Sequence, residues 1–459
     1  MIYFLLPKTY LFTYQHISVS KTEEPPTAYI SNSLSHYLSD IKEKIHTHEK
    51  DWDVFKKYTN PYEYIHSIIP NKKKCISKHK PLSRSYFKMI EIVRTFKLDQ
   101  RTSETVCTTS NIVHPSTRST PTMRFELCKP KNAPIQTFHL AEGPGGFIEA
   151  IAALRNNPQD VYIGMTIQDK QDNFDIPAWK KSQYFLKEHP NVIIENGIDQ
   201  TGDILSLDNF MYCKEKYGST MDLITADGGF DFSFDFNHQE ISISKLLFAQ
   251  IAFAVCMQKK DGCFVLKIFD CFMQHTIDLL YLLCSFYEKV YITKPQTSRF
   301  ANSEKYIVCK KFLFKSSADF FPFFYETFSK MLHRSETVST GELSVNKNEV
   351  NTFYVKDGVS TEKYIQRFLS LPLSNYFLTK LEEFNSIFGQ QQIENIYYTI
   401  SLIESKNKTE KIDTLVKTNI QKSVYWCMKY DVPYHNLFNA PVAPFTNSAG
   451  NNYPVLHYV

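Results

Sequence analysis

Glycine is scarce in this chain, at 14 in 459 residues, less than half of the ~7% usual in proteins. A backbone with so little glycine has few places to turn left-handed or to let another group approach closely. Ten of the fourteen, at 143, 145, 146, 164, 197, 202, 218, 228, 229 and 262, fall between Gly143 and Gly262. Long apolar runs are missing too, since no stretch approaches the ~18 residues of a membrane span. The opening MIYFLLPKTYLFTY is interrupted by Pro7 and Lys8 and has neither a basic leader nor a small-residue cleavage pattern. A soluble protein without signal peptide or anchor is therefore expected. Charge of one sign is not in surplus either: 52 Lys and Arg against 48 Asp and Glu leave +4, which excludes a generic polycation. The ten cysteines (75, 107, 128, 213, 256, 263, 271, 284, 309 and 427) contain no CxxC pair and no metal-ligand spacing with histidine. Reduced thiols in an intracellular compartment, and no required metal, are expected.

What is present is ample material for a core. Hydrophobic residues make up 43% and charged residues 22% of the chain, which excludes wholesale disorder and leaves room for two to three domains, or for one large catalytic domain with flanking regions. Charge is unevenly placed. Lys72 to Arg101 carries ten Lys and Arg against Glu91 and Asp99, a local +8, which suits either a phosphate-binding surface or a solvated face.

Residues 1–55 are polar after a strand-like start and predict an N-terminal extension, with SNSLSHYLSDIKEKIHTHEKDWDVF as its helical part. Residues 85–97 place Phe87, Ile90, Val93 and Phe96 at three-residue intervals, with Met89 and Ile92 widening the stripe, the pattern of an amphipathic helix. A Thr/Ser/Pro-rich loop is expected over 101–135. From Gln136 the strand-like segments QTFHLA, VYIGMT, NVIIENG, MDLITADGG, GCFVLKIF, KVYITKP and KYIVCKKF alternate with helical text near 146–155, 179–188, 240–257 and 276–287. Continuous β-branched runs separated by helices predict an α/β fold, a Rossmann-like seven-stranded, mostly parallel sheet covered on both faces. The short connection TSRFANSE should make the last two strands an antiparallel hairpin at the edge. Beyond Lys315 the text turns helical, with a polar linker over 335–351. The expected division is an N-terminal extension (1–55), a catalytic domain (56–315) and a helical C-terminal region (316–459).

Four segments carry chemistry. HLAEGPGGF runs from a strand into a glycine turn and a helix, where backbone N–H groups can face a dinucleotide, a phosphate or S-adenosylmethionine (SAM); it is neither GxGxxG nor a P-loop. ITADGGFDFS ends a strand with Asp227 at the carboxyl edge, where open α/β sheets bind ligands. FVLKIFD places Lys267 in an otherwise apolar strand, a costly burial unless the amine is paired. SRFANSEKYIV sets Glu304 at the start of the last strand. Such a set suits activation of a hydroxyl, because desolvation and a neighbouring cation can bring a lysine down from ~10.4 until it accepts a proton near neutral pH.

SRSYFKMIEI, AEGPGGF, TADGGF, FVLKIFD and KPQTSRFANSEKYIVCK resemble, in order and spacing, the motifs of FtsJ-like RNA 2′-O-ribose methyltransferases. PYEYIHSI, GMTIQ, TGDI, ADGGF, LKIFD and SRFANSEKYIVCK are most similar to the cap-specific mRNA (nucleoside-2′-O-)methyltransferases of eukaryotes and large DNA viruses. The resemblance covers about 60–311. It implies the methyltransferase form of the fold, SAM as cofactor, and the family's Lys-Asp-Lys-Glu tetrad at Lys88, Asp227, Lys267 and Glu304, with Lys267 activating the ribose 2′-hydroxyl. It implies SAM contacts at Ser83, Ala141, Glu142, Gly143, Pro144, Gly145, Gly146, Phe147, Thr166, Asp203 and Asp227. The second strand ends in GMTIQ where bacterial FtsJ-type enzymes place an aspartate, which leaves the ribose contact open. Glu142 with His139, where many relatives have aspartate, occurs in one branch of the cap enzymes and leaves cap-1 against cap-2 open. RNA contacts are expected at Lys72, Lys73, Lys74, Lys78, Lys80, Arg84, Lys294, Ser298, Arg299 and Asn302. The implied partner is the capped 5′ end of mRNA, with other capping or transcription proteins as further candidates and no membrane, in the cytoplasm or nucleus. Methylation of ribosomal or transfer RNA, or a silent RNA-binding scaffold of a capping complex, are the alternatives.

Overall fold

A computed structural model describes residues 1–11, 13–99, 133–168, 178–229, 237–333 and 363–436. Most of the loop expected at 101–135, all of the linker at 335–351 and the end of ITADGGFDFS lie outside the described residues. The chain starts with strands β1 (Ile2–Leu5) and β2 (Ile17–Thr22), followed by helices α1 (Asn32–His46) and α2 (Glu49–Tyr58) in the stretch where helix is predicted. Helix α1 buries Leu38, Ile41 and Ile45 at the three- and four-residue spacing of one helix face. Helix α3 (Ser85–Phe96) buries Phe87, Ile90, Val93 and Phe96 as its periodicity predicts, and with them the charged Lys88 and Glu91.

The alternating region follows as β3 (Gln136–Leu140), α4 (Gly146–Arg155), β4 (Val161–Met165), α5 (Gln183–Glu188), β5 (Val192–Ile194), α6 (Leu207–Tyr217), β6 (Met221–Ala226), α7 (Gln239–Ser242), α8 (Ser244–Met257), β7 (Gln258–Ile268), α9 (Gln274–Phe286), β8 (Tyr287–Lys294) and β9 (Lys305–Phe312). Helix α10 (Phe321–Leu332), strand β10 (Tyr364–Leu369) and helices α11 (Asn375–Glu404) and α12 (Thr409–Lys429) complete the described chain. Helix α6 is absent from the sequence expectation because its apolar stripe is thin, burying only Asn209, Phe210 and Cys213. Its signal was the cap, where the Ser206 hydroxyl accepts from the Asn209 N–H. Strand β10 lies in a region expected to be helical and pairs antiparallel with β2.

The main sheet runs β1-β8-β9-β7-β6-β3-β4-β5, with parallel pairing of β3 to β4 and β6, of β4 to β5, and of β6 to β7. The expected α/β class is present, with eight strands in place of seven. Strand β9 is not at the edge: it lies antiparallel between β7 and β8. Its residues are buried on both faces, so an interior position satisfies it, whereas β1, largely exposed, takes the antiparallel edge beside β8. Parallel strands send β3, β4, β6 and β7 to a common carboxyl edge, and β9 starts at that same edge because it runs the other way. No helix among the described residues is long and apolar enough to cross a membrane.

Helix α8 is apolar all round and buried over nearly its full length, as expected of a helix enclosed on every side. Phe248 stacks on Phe368 of β10 at a centroid distance of 4.7 Å and meets Phe324 and Phe328 of α10. Phe248→Ala should therefore cost about 3–5 kcal/mol, read as a lowered urea midpoint, with a loss less than additive when combined with Phe368→Ala because the two share one contact.

Candidate functional site

Four charged residues named from sequence meet at the carboxyl edge. Lys88 Nζ on α3 lies 2.7 Å from Glu304 Oε1 and 2.8 Å from Oε2. Lys267 Nζ, at the end of β7, lies 3.3 Å from Asp227 Oδ1 and donates to the Asp227 carbonyl at 2.7 Å. Asp227 follows β6 directly and Glu304 precedes β9 directly, so the β6-β7-β9 order itself sets their spacing. Tyr306, which sequence reading missed, links the two pairs. Its ring is 5.9 Å from Lys88 Nζ and its hydroxyl donates to Asp227 Oδ1 at 3.0 Å. The available signal was a tyrosine in a strand buried on both sides, whose O–H must find an acceptor.

The pairs differ in access. Side chains of Lys88 and Glu304 are 5% and 10% exposed, those of Lys267 and Asp227 13% and 16%, so Lys267 is the amine an incoming group reaches first. Burial pushes the Lys88 amine below the ordinary lysine value; Glu304 opposes that shift, while Arg84 and Lys267 reinforce it. Burial alone would raise the Glu304 carboxyl, but Lys88, Lys267 and Arg84 hold it well below the usual carboxylate range.

Beside this centre the glycine turn links β3 to α4. Ala141 and Gly145 have φ of 51° and 104°, the left-handed region that glycine enters freely and alanine does not. Sequence reading assigned these glycines to close ligand approach; the structure assigns much of their need to packing. A Cβ at Gly143 would lie 2.5 Å from the Ala178 oxygen, one at Gly146 2.2 Å from Ser83 Oγ, and one at Gly202 1.9 Å from the Thr166 oxygen. Ser83, whose hydroxyl is 2.5 Å from that of Ser85, thereby closes one side of the turn, and Thr166 is pressed against the Gly202–Asp203 segment. Ser182 Oγ donates to the Pro144 carbonyl at 2.5 Å. Phe147 is fully buried and its N–H is given to Glu142 Oε1 at 2.5 Å, so it supports the turn from beneath. Burial, reinforced by Asp227, pushes the Glu142 carboxyl well above the usual range. Asp203 Oδ1 caps the Leu205 N–H at 2.8 Å, and burial raises its carboxyl.

The turn fits the implied cofactor in one observable respect. Among the described residues, Glu142 Oε2 and Trp179 Nε1 are buried polar atoms without a partner, and Trp179 flanks Gly145; buried polar groups ordinarily have partners. His139 lies below in β3 between the hydroxyls of Thr137 and Thr225, at 2.8 and 2.7 Å. Burial lowers it to about 3, so at neutral pH it is an uncharged link between strands.

The ten residues expected to meet RNA divide into two sets. Lys72, Lys73, Lys74, Lys78 and Lys80 are exposed and Arg84 half-buried, on a segment tied to the C-terminal part by Lys78 N–H to the Pro433 carbonyl at 2.8 Å and His435 N–H to the Ile76 carbonyl at 3.0 Å. Lys294 and Ser298 are corrections. Both are buried, and the Lys294 amine is spent on Asn302 O, Asn302 Oδ1 and Glu304 O at 2.6, 2.8 and 2.8 Å. Ser298 Oγ donates to Glu304 Oε1 at 2.7 Å. These residues, with Asn302, build the turn that carries Glu304. Arg299, half-buried, forks onto Glu63 at 2.7 and 3.0 Å.

The FtsJ-like methyltransferase family matches residues 81–312. Over 123 residues the chain is 42% identical to the cap-specific mRNA (nucleoside-2′-O-)-methyltransferase 1 of Trypanosoma brucei brucei, covering 26% of this chain and 32% of that protein. The Trypanosoma cruzi protein of the same name is 41% identical over 37% of this chain and 46% of its own length, and the human one 33% identical over 40% and 22%. The chain thus spans less than half the length of these curated relatives. Among solved structures, a Plasmodium falciparum protein described as a ribosomal RNA methyltransferase aligns with 50% of this chain and 98% of its own, at 19% identity and a TM-score of 0.31, too low to add to the family match.

Glu304→Gln would leave the buried Lys88 cation without its counter-charge, a loss of about 3–5 kcal/mol for a broken buried pair. Because the folded carboxyl of Glu304 lies below its unfolded value, its contribution is complete above the ordinary carboxylate range and is lost as pH falls through and below it. The stability gap between wild type and Glu304→Gln in urea titrations should therefore be full at pH 7 and shrink below about pH 4.

Proposed function

We propose, since this chain belongs to the FtsJ-like methyltransferase family, that it transfers a methyl group from SAM to the ribose 2′-oxygen of the 5′-terminal transcribed nucleotide of capped mRNA, a cap-1 type reaction. The observation that carries the reading is the pairing of Lys267 with Asp227 at the more open side of a buried Lys88–Glu304 pair. The cap is suggested by the names of the relatives. In this reading residues 56–315 form the transferase unit, and 1–55 and 316–459 are flanking regions.

When bound, SAM supplies an electrophilic methyl carbon; members of this family depend on it. Ser83, the turn Ala141 to Gly146, Thr166 and Asp203 would hold it. In this reading Lys267 takes the proton of the ribose 2′-hydroxyl, and Asp227 keeps the amine aimed and balances the ammonium that forms. Tyr306 holds the Asp227 carboxylate. The Lys88 cation, fixed by Glu304, would favour negative charge on the 2′-oxygen. Most of the acceleration then comes from holding the reacting atoms in line. The exposed Lys72, Lys73, Lys74, Lys78 and Lys80, with Arg84, would contact the phosphates of the RNA, and the enzyme would act inside the cell, where capped messengers are processed.

Incubation with labelled SAM and RNAs bearing either a methylated guanosine cap or a bare 5′ end tests this. Label should enter the first nucleotide of capped RNA; equal transfer to both RNAs overturns cap specificity, and RNA binding without transfer favours a silent scaffold. Lys267→Ala should lower kcat by ~10²-fold or more, the scale of general-base catalysis, with SAM affinity retained in calorimetry; unchanged turnover refutes the role given to Lys267.

A further inference from the structure

Helix α3 grips the loop between β8 and β9 at two points, with charges of opposite sign. Lys88 holds the end of the loop through Glu304. Three residues further along the same helix face, Glu91 holds its beginning: Oε1 accepts from the Gln296 N–H at 2.9 Å, and Oε2 from the Thr297 N–H at 3.3 Å and hydroxyl at 3.2 Å. Glu91 has no solvent exposure. A fourth donor comes from far along the chain, as Trp426 Nε1 of α12 reaches Glu91 Oε2 at 3.2 Å while its ring meets Phe87 edge to face at 6.0 Å. A buried carboxylate is costly unless its oxygens are well supplied with donors, so this carboxylate constrains every element that donates to it.

We propose that Glu91 is a positioning residue for methyl transfer: by clasping loop residues 296–297 and the Trp426 indole, it sets the seat of Glu304 against Lys88 and makes α12 a working part of the catalytic centre. The proposal rests on the functional reading above and gives the C-terminal helices a role which that reading leaves open. The physical ground is register. One contact between a helix and a loop lets the loop pivot; two contacts one turn apart fix it, and displacement of about 1 Å at such a site can lower rate ~10²-fold. A glutamine cannot replace Glu91, because all four partners are donors and its NH2 would face an N–H.

The experiment uses the full chain with Glu91→Gln, Trp426→Phe, Glu304→Gln and the double variant Glu91→Gln/Glu304→Gln, measuring kcat, SAM affinity and hydrogen exchange of amides 296–304. Glu91→Gln should lower kcat by ~10-fold or more with SAM affinity within about twofold, and the double variant should be no slower than Glu304→Gln, since residues acting as one unit are non-additive. Trp426→Phe, the milder change should Glu91→Gln fail to fold, should lower kcat about threefold and speed exchange at Gln296 and Thr297. Multiplying losses in the double variant, or wild-type kcat and exchange in Trp426→Phe, overturn the proposal. Should wild type transfer methyl to no RNA, the functional reading falls alone: faster loop exchange in Trp426→Phe still supports the clasp and unchanged exchange overturns it.

Discussion

A lysine ammonium and a glutamate carboxylate, both withdrawn from water, meet at 2.7 Å where helix α3 faces the start of β9. Neither charge would stay at that depth without the other, and the pair imposes conditions on everything near it. Helix α3 must present Lys88 and Glu91 inward on a face that is otherwise apolar. The loop from β8 must fold back so that Glu304 arrives on the same side, and it does so around the amine of Lys294, which satisfies two carbonyls and a side-chain amide of the turn. Tyr306, next but one to Glu304, then reaches Asp227, so the second pair is tied to the first.

The sheet makes this economical. Because β6 and β7 are parallel and β9 runs the other way between β7 and β8, the last residues of two strands and the first of a third converge without any long excursion of the chain. The glycine turn after β3 lies at the same edge, so the proposed methyl donor and the proposed acceptor share one floor. Glycine at 143, 146 and 202 allows the chain to pack against itself there, which gives the clustering of glycine a structural cause beside the functional one.

Much of this was readable from residue order. The alternation of β-branched runs with helical stripes is a local property, and β3, α4, β4, β6 and β9 appear where the text places them. Lys267 stands out by itself as a lysine in an apolar strand, whereas Lys88 and the grouping of the four charges come from the family resemblance. Helix α6 hid because its stripe is thin and only its serine cap spoke for it. The interior place of β9 is not legible in the chain, because a short hairpin connection says that two strands are neighbours, not which of them lies outward. Lys294 and Ser298, expected to meet RNA, lie buried, because residue type reports charge and polarity but not depth.

What the sequence determined by itself, then, is the repertoire: an α/β sheet, a glycine turn at its carboxyl edge, and two lysines with two carboxylates for hydroxyl chemistry. Periodicity and motif spacing are carried by residues close in the chain, so they can be read along it. Tertiary structure alone decided the partners. Glu91 meets Trp426, Arg299 meets Glu63, and β1 closes the sheet beside β8, contacts between residues hundreds of positions apart. The side-chain contacts owe their strength to burial, and burial exists only once the whole chain has excluded water from the place where they meet.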